Sequence, residues 1–135
     1  MILPIILMGD TGMPKKILII DDEADMRTYL KVLFEKAGYQ TEIAINGSEA
    51  LDILGKSRPD LITLDILMPR KSGLNFFEAI RAGEKTKDIP VIVVSGITGH
   101  QEFFDSKPPG GPTMFVEKPI VPDLFLSQVK KLLGE

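Results

Sequence analysis

The chain has 135 residues, room for one domain with a proper core and little besides. Hydrophobic residues make up 44% of it and charged residues 26%, the balance of a globular rather than a disordered protein. Its 16 Lys and Arg against 19 Asp and Glu leave a formal charge of −3, so no basic field recommends nucleic acid as a partner.

Cysteine is absent, which excludes disulfides and thiolate metal sites and fits a reducing, cytoplasmic location. Residues 1–13 (MILPIILMGDTGM) read as an extension ahead of a domain at 14–135. Ile2 to Met8 is apolar but far short of the about 20 residues that span a bilayer. It has no positive flank, and Asp10 follows where a small-residue cleavage site would be wanted, so neither a membrane anchor nor a leader is expected.

From Lys16 onward, short apolar runs alternate with segments of helical period. Residues 17–20 (ILII) form a continuous apolar run, the pattern of a strand buried on both faces. Met26, Leu30, Leu33 and Ala37 mark one face of a helix over 24–37, stopped by Gly38. Residues 40–45 alternate as a half-buried edge strand does. Asn46-Gly47 turns the chain, and Ser48 is placed to cap a short helix through about residue 54.

Residues 61–64 give a third strand, and 73–82 a third helix with Phe77 and Ile80 inward and Gly83 at its end. Residues 90–94 (PVIVV) form a fourth strand and 113–116 a fifth. Pro122 opens a last helix, with Phe125, Val129, Leu132 and Leu133 on its apolar stripe. This order predicts an α/β fold: a doubly wound, five-stranded parallel sheet covered on both faces and joined by right-handed crossovers.

In such a sheet the site lies beyond the carboxyl ends of the strands, where the winding reverses. Asp21-Asp22-Glu23 follow strand one, Asp65 strand three, Ser95-Gly96 strand four and Glu117-Lys118-Pro119 strand five. Taken singly, Asp21 and Asp22 read best as helix caps, Ser95 as a turn residue and Lys118 as a surface charge. His100 alone makes no metal cluster, and Phe76-Phe77 and Phe103-Phe104 read as core. Asp65 has no local cap or turn to explain it. Four strand ends that deliver acids, a hydroxyl and an amine to one rim point together to a shared site. Oxygen ligands without histidine or cysteine suit a hard cation, Mg²⁺ above all. A carboxylate beside it, with Lys118 and Ser95, is equipped to accept a phosphoryl group.

These residues resemble the receiver domain of bacterial two-component response regulators, the family that includes the chemotaxis regulator. ILIIDDE (17–23), LDILMPRKSG (64–73), VIVVSG (91–96) and MFVEKPI (114–120) carry the resemblance, in order, over nearly all of the chain after the extension. It implies the flavodoxin-like strand order 2-1-3-4-5. It also implies that Asp65 is the phosphoacceptor, taking its phosphoryl group from a histidine kinase or phosphotransfer protein. Asp22, Asp65 and the Leu67 carbonyl would bind Mg²⁺ directly and Asp21 largely through water. By the same resemblance Ser95 is the switch hydroxyl, Lys118 the lysine that pairs with the acceptor, and Phe115 the switch aromatic. Pro119 is the cis-proline candidate, and Pro69 and Gly73 form the turn from the acceptor loop into the third helix.

One stretch departs from the family. GITGHQEFFDSKPPGGPTMF (96–115) has three prolines and four glycines where a regular helix is expected. Pro108-Pro109 and Gly110-Gly111 do not lie inside a stable helix, so at most two turns near 100–106 are expected there, then a loop over 107–112. The surface through which receivers signal is affected, and with it the downstream target and any homodimer. The expectation is a switch acting through protein contacts, either a regulator of one domain or a piece of a larger one. The alternative is a receiver-like interaction scaffold that phosphorylation does not switch. An aspartyl phosphohydrolase of the haloacid dehalogenase type would want Asp-x-Asp-x-Thr, and Asp21 is instead followed by Asp-Glu-Ala-Asp.

Overall fold

The computed structural model describes residues 14–66, 72–96 and 111–135. The expected extension over 1–13, the Leu67 carbonyl, Met68-Pro69, and the expected short helix and loop before strand five lie outside the described residues, apart from Gly111 and Pro112.

Among the described residues, five strands and four helices follow one another: β1 (Lys16–Ile20), α1 (Ala24–Lys36), β2 (Gln40–Ala44), α2 (Gly47–Leu54), β3 (Leu61–Asp65), α3 (Ser72–Ala82), β4 (Val91–Ser95), β5 (Thr113–Glu117) and α4 (Pro122–Leu132). The strands are parallel, in the order β2-β1-β3-β4-β5. Strand three runs one residue further than its apolar run: Asp65 is its last residue and registers with Val94.

Alternation along the strands splits the core in two, because successive side chains point to opposite faces. Leu18, Ile20, Ile62, Leu64, Val91 and Val93 pack with Phe76, Phe77 and Ile80 of α3. Ile17, Ile19, Leu61, Ile92 and Val94 pack with Leu30 and Phe34 of α1 and Phe125 and Val129 of α4. Phe34 joins that layer, with its ring 5.7 Å from Phe125 and edge-on to Tyr39 at 6.3 Å. Phe76 and Phe77 are therefore core, as expected. No helix among the described residues is long and apolar enough to cross a membrane.

Two local readings change. Asn46, not Ser48, caps α2: its side chain accepts the Glu49 N–H at 2.8 Å, and Glu49 Oε1 accepts the Ile45 N–H at 3.1 Å. The reciprocal pairing ties both groups to the turn, so the helix starts at Gly47. Asp21 and Asp22 do not cap α1, whose N-cap is Glu23.

The amino end of β5 is pinned from α3. The Arg81 guanidinium donates to the carbonyls of Lys87, Ile89 and Pro112 and to Thr113 Oγ1, at 2.8–3.0 Å, and lies over the Phe77 ring. Gly111 enters this clamp at φ +66, where a Cβ would stand 2.5 Å from the Lys87 carbonyl oxygen and 2.8 Å from Arg81 Cζ.

Thr63, in the middle of β3, is 1% exposed, and its hydroxyl has no hydrogen-bond partner among the described residues. Desolvating an unpaired hydroxyl costs about 1–3 kcal/mol. Thr63→Val, which keeps the volume and removes that group, is expected to raise unfolding stability by about 1 kcal/mol in denaturant titrations.

Candidate functional site

The strand ends meet on one rim. Asp21 follows β1, its N–H bonded to the Ala44 carbonyl at 3.2 Å, and is 2% exposed. Its Oδ1 accepts the Glu23 N–H at 2.9 Å, and its carbonyl accepts Arg27 Nη1 at 2.8 Å. Asp65 ends β3 at 4% exposed, and Asp22 is exposed beside them. Carboxylate oxygens of Asp21, Asp22 and Asp65 lie within 4.8 Å of one another.

Gly73 sets the approach of α3 to this rim. A Cβ there would stand 2.9 Å from the Asp65 carbonyl oxygen and the Ile66 Cα, so only glycine lets the first turn of α3 rest on the end of β3. Ser95 ends β4 at 1% exposed, with its hydroxyl 3.2 Å from the Gly96 carbonyl. Its own carbonyl accepts the Lys118 N–H at 2.8 Å. Lys118 follows β5, and its ammonium reaches past the end of β4 to stand 3.6 Å from Asp65 Oδ2 and 3.8 Å from Glu23 Oε1. The Lys118–Pro119 peptide is cis. Phe115 is half-buried, packed against the core layer that holds α3.

Asp21, Asp22, Asp65, Ser95 and Lys118 thus share one rim, and Phe115 lies three residues back along β5. Sequence reasoning left Glu23 and Arg27 without roles. Glu23 stands inside the acidic run, but its partner is 95 positions away. Arg27 lies four residues beyond it on α1, the spacing that brings a side chain back over the start of the helix.

Electrostatics at the rim favour a cation. Burial, and next the neighbouring Asp65 charge, outweigh the Glu23 N–H bond and push the Asp21 carboxyl from 3.8 up to about 6. A buried acid held that high is one that a nearby cation would stabilise in its charged form. The donor set is oxygen throughout, which fits a hard divalent ion such as Mg²⁺.

The model of the response regulator receiver domain family matches residues 17–130. The chain belongs to that family. It is 36% identical over 126 residues to the polar-differentiation response regulator DivK of Brucella anthropi, covering 91% of this chain and 99% of that protein. It is 38% identical over 121 residues to the sporulation initiation phosphotransferase F of Bacillus subtilis, covering 90% and 95%. In fold it matches the receiver domain of the sensor histidine kinase PA1611 of Pseudomonas aeruginosa, with TM-score 0.80, 21% identity, and 90% and 99% coverage. That structure has a magnesium ion coordinated in its active-site cleft. The receiver fold, with strand order 2-1-3-4-5, and the phosphoryl-accepting class of the chain are thereby established.

The raised Asp21 carboxyl gives a signed pH effect. Between about pH 4 and 6 the folded protein holds a proton that the unfolded chain has lost, so metal-free stability falls as pH rises through that window. Asp21→Asn keeps the bond to the Glu23 N–H but removes the charge. Thermal melts should show the variant more stable than the parent at pH 7 and the gap closing towards pH 4, by an amount of order 1–3 kcal/mol.

Proposed function

We propose that Asp65 is the phosphoacceptor of this receiver and that Asp21, Asp22 and Asp65 hold Mg²⁺ there. The observation that carries the reading is the meeting of three carboxylates within 4.8 Å of one another, with the Lys118 ammonium 3.6 Å from Asp65 Oδ2. The magnesium ion in the cleft of the Pseudomonas receiver supports the choice of metal. Residues 14–135 act as one receiver domain in this reading, and no role is assigned to 1–13.

The donor is a phosphohistidine on a kinase or phosphotransfer protein. An Asp65 carboxylate oxygen bonds to phosphorus as the phosphorus–nitrogen bond breaks, and the electron pair returns to the imidazole. Bound Mg²⁺ supplies charge neutralisation on the phosphoryl oxygens. Lys118 supplies the second positive charge, delivered by the backbone bond from its N–H to Ser95. Ser95 lies on the strand between those of Asp65 and Lys118, and in this reading its hydroxyl donates to a phosphoryl oxygen. Phe115, neither sealed in the core nor fully exposed, is the aromatic that would change position with the switch in this reading. The chain is a signalling switch of the cytoplasm, and hydrolysis of its own acyl phosphate resets it.

Incubation with Mg²⁺ and a small phosphodonor should add one phosphoryl mass, stable in acid and labile in alkali. Asp65→Asn should abolish the gain. No gain with small donors or candidate kinases would favour the unswitched scaffold.

Metal binding gives an independent check. Asp22→Ala removes an exposed ligand without opening the core, and Mg²⁺ affinity by calorimetry should fall at least about tenfold, the cost of one lost charged ligand. Unchanged affinity would show that the cage is wrongly assigned.

A further inference from the structure

Glu23 is the third acid of the run after β1. It occupies the N-cap of α1, yet its side chain makes no capping hydrogen bond. The bond from its N–H to Asp21 Oδ1 holds its backbone at the rim, and its carboxylate lies 3.8 Å from Lys118 Nζ. That same ammonium is 3.6 Å from Asp65 Oδ2. One cation therefore stands between a buried carboxylate, 5% exposed at its side chain, and an outer one, 67% exposed.

We propose that Glu23 is a positioning residue that competes with the acceptor for Lys118 and so restrains phosphoryl transfer to Asp65. The proposal rests on the reading of Asp65 as phosphoacceptor. The Glu23 carboxylate draws the ammonium outward, and only part of its field falls on the incoming phosphoryl oxygens. During transfer from acetyl phosphate, the bond from phosphorus to the acetyl oxygen breaks and acetate leaves with the electron pair, while an Asp65 oxygen bonds to phosphorus. Glu23 enters neither bond and acts through the position of Lys118. Since it is largely exposed, its influence is of the size of a surface ion pair and is screened by salt.

Glu23→Gln keeps the shape and removes the charge. Phosphorylation by acetyl phosphate at saturating Mg²⁺, followed by intact mass against donor concentration, is the assay. The half-saturating donor concentration should fall about two- to fivefold at low salt, with the advantage shrinking at high salt and the melting temperature unchanged. The same substitution in a Lys118→Gln background should have less effect, because no shared ammonium remains. A donor dependence like that of the parent, an equal effect with and without Lys118, or a lowered melting temperature with slower transfer each overturns the proposal. Failure of the parent to accept phosphate at all sinks the phosphoacceptor reading with it, whereas a phosphorylated parent indifferent to Glu23 sinks this inference alone.

Discussion

Everything at the rim depends on how the Asp65 carboxyl is accommodated at the end of a buried strand. It is 4% exposed, beside two other aspartates, in a position where an unpaired anion would be costly. The ammonium that offsets it comes not from the neighbouring strand but from the one beyond, reaching across the end of β4. The register of β5 therefore matters more to the site than any contact within β3. That register is held at both ends: by the Lys118 N–H on the Ser95 carbonyl at the rim, and by Arg81 on Pro112 and Thr113 at the far end.

The same arrangement explains why the site is chemically poised. Three aspartates stand together, and the lysine paired with Asp65 is shared with Glu23. Burial, with a smaller contribution from the Asp65 charge, leaves Asp21 with a carboxyl raised to about 6. A divalent cation would offset the charge of three neighbouring carboxylates. The features that make the rim unfavourable on its own are those that let it take up a charged group.

Much of this was legible in the chain. Short, largely apolar runs, each followed by polar residues, mark Asp21, Asp65, Ser95 and Lys118 as groups at the strand ends, since a parallel sheet buries both faces of its strands. Caps and clamps were less legible. Ser48 and Asn46 are equally good capping residues by type, and only the backbone path, with Asn46 extended and Glu49 reaching back to Ile45, decides for Asn46. Arg81 looks like an ordinary charge at a helix end until four acceptors from two other segments converge on it.

By itself, the amino-acid order determined the fold class, the strand order through its family resemblance, and the set of acids, hydroxyl and amine that share the rim. Hydrophobic period and strand-end chemistry are local properties, written in consecutive residues. Tertiary structure alone decided that Glu23 and Asp65 divide Lys118 between them, that Arg27 holds the Asp21 carbonyl, and that Gly73 and Gly111 stand where no side chain fits. Those outcomes turn on distances of a few ångströms between segments far apart in sequence, which no spacing within the chain can express.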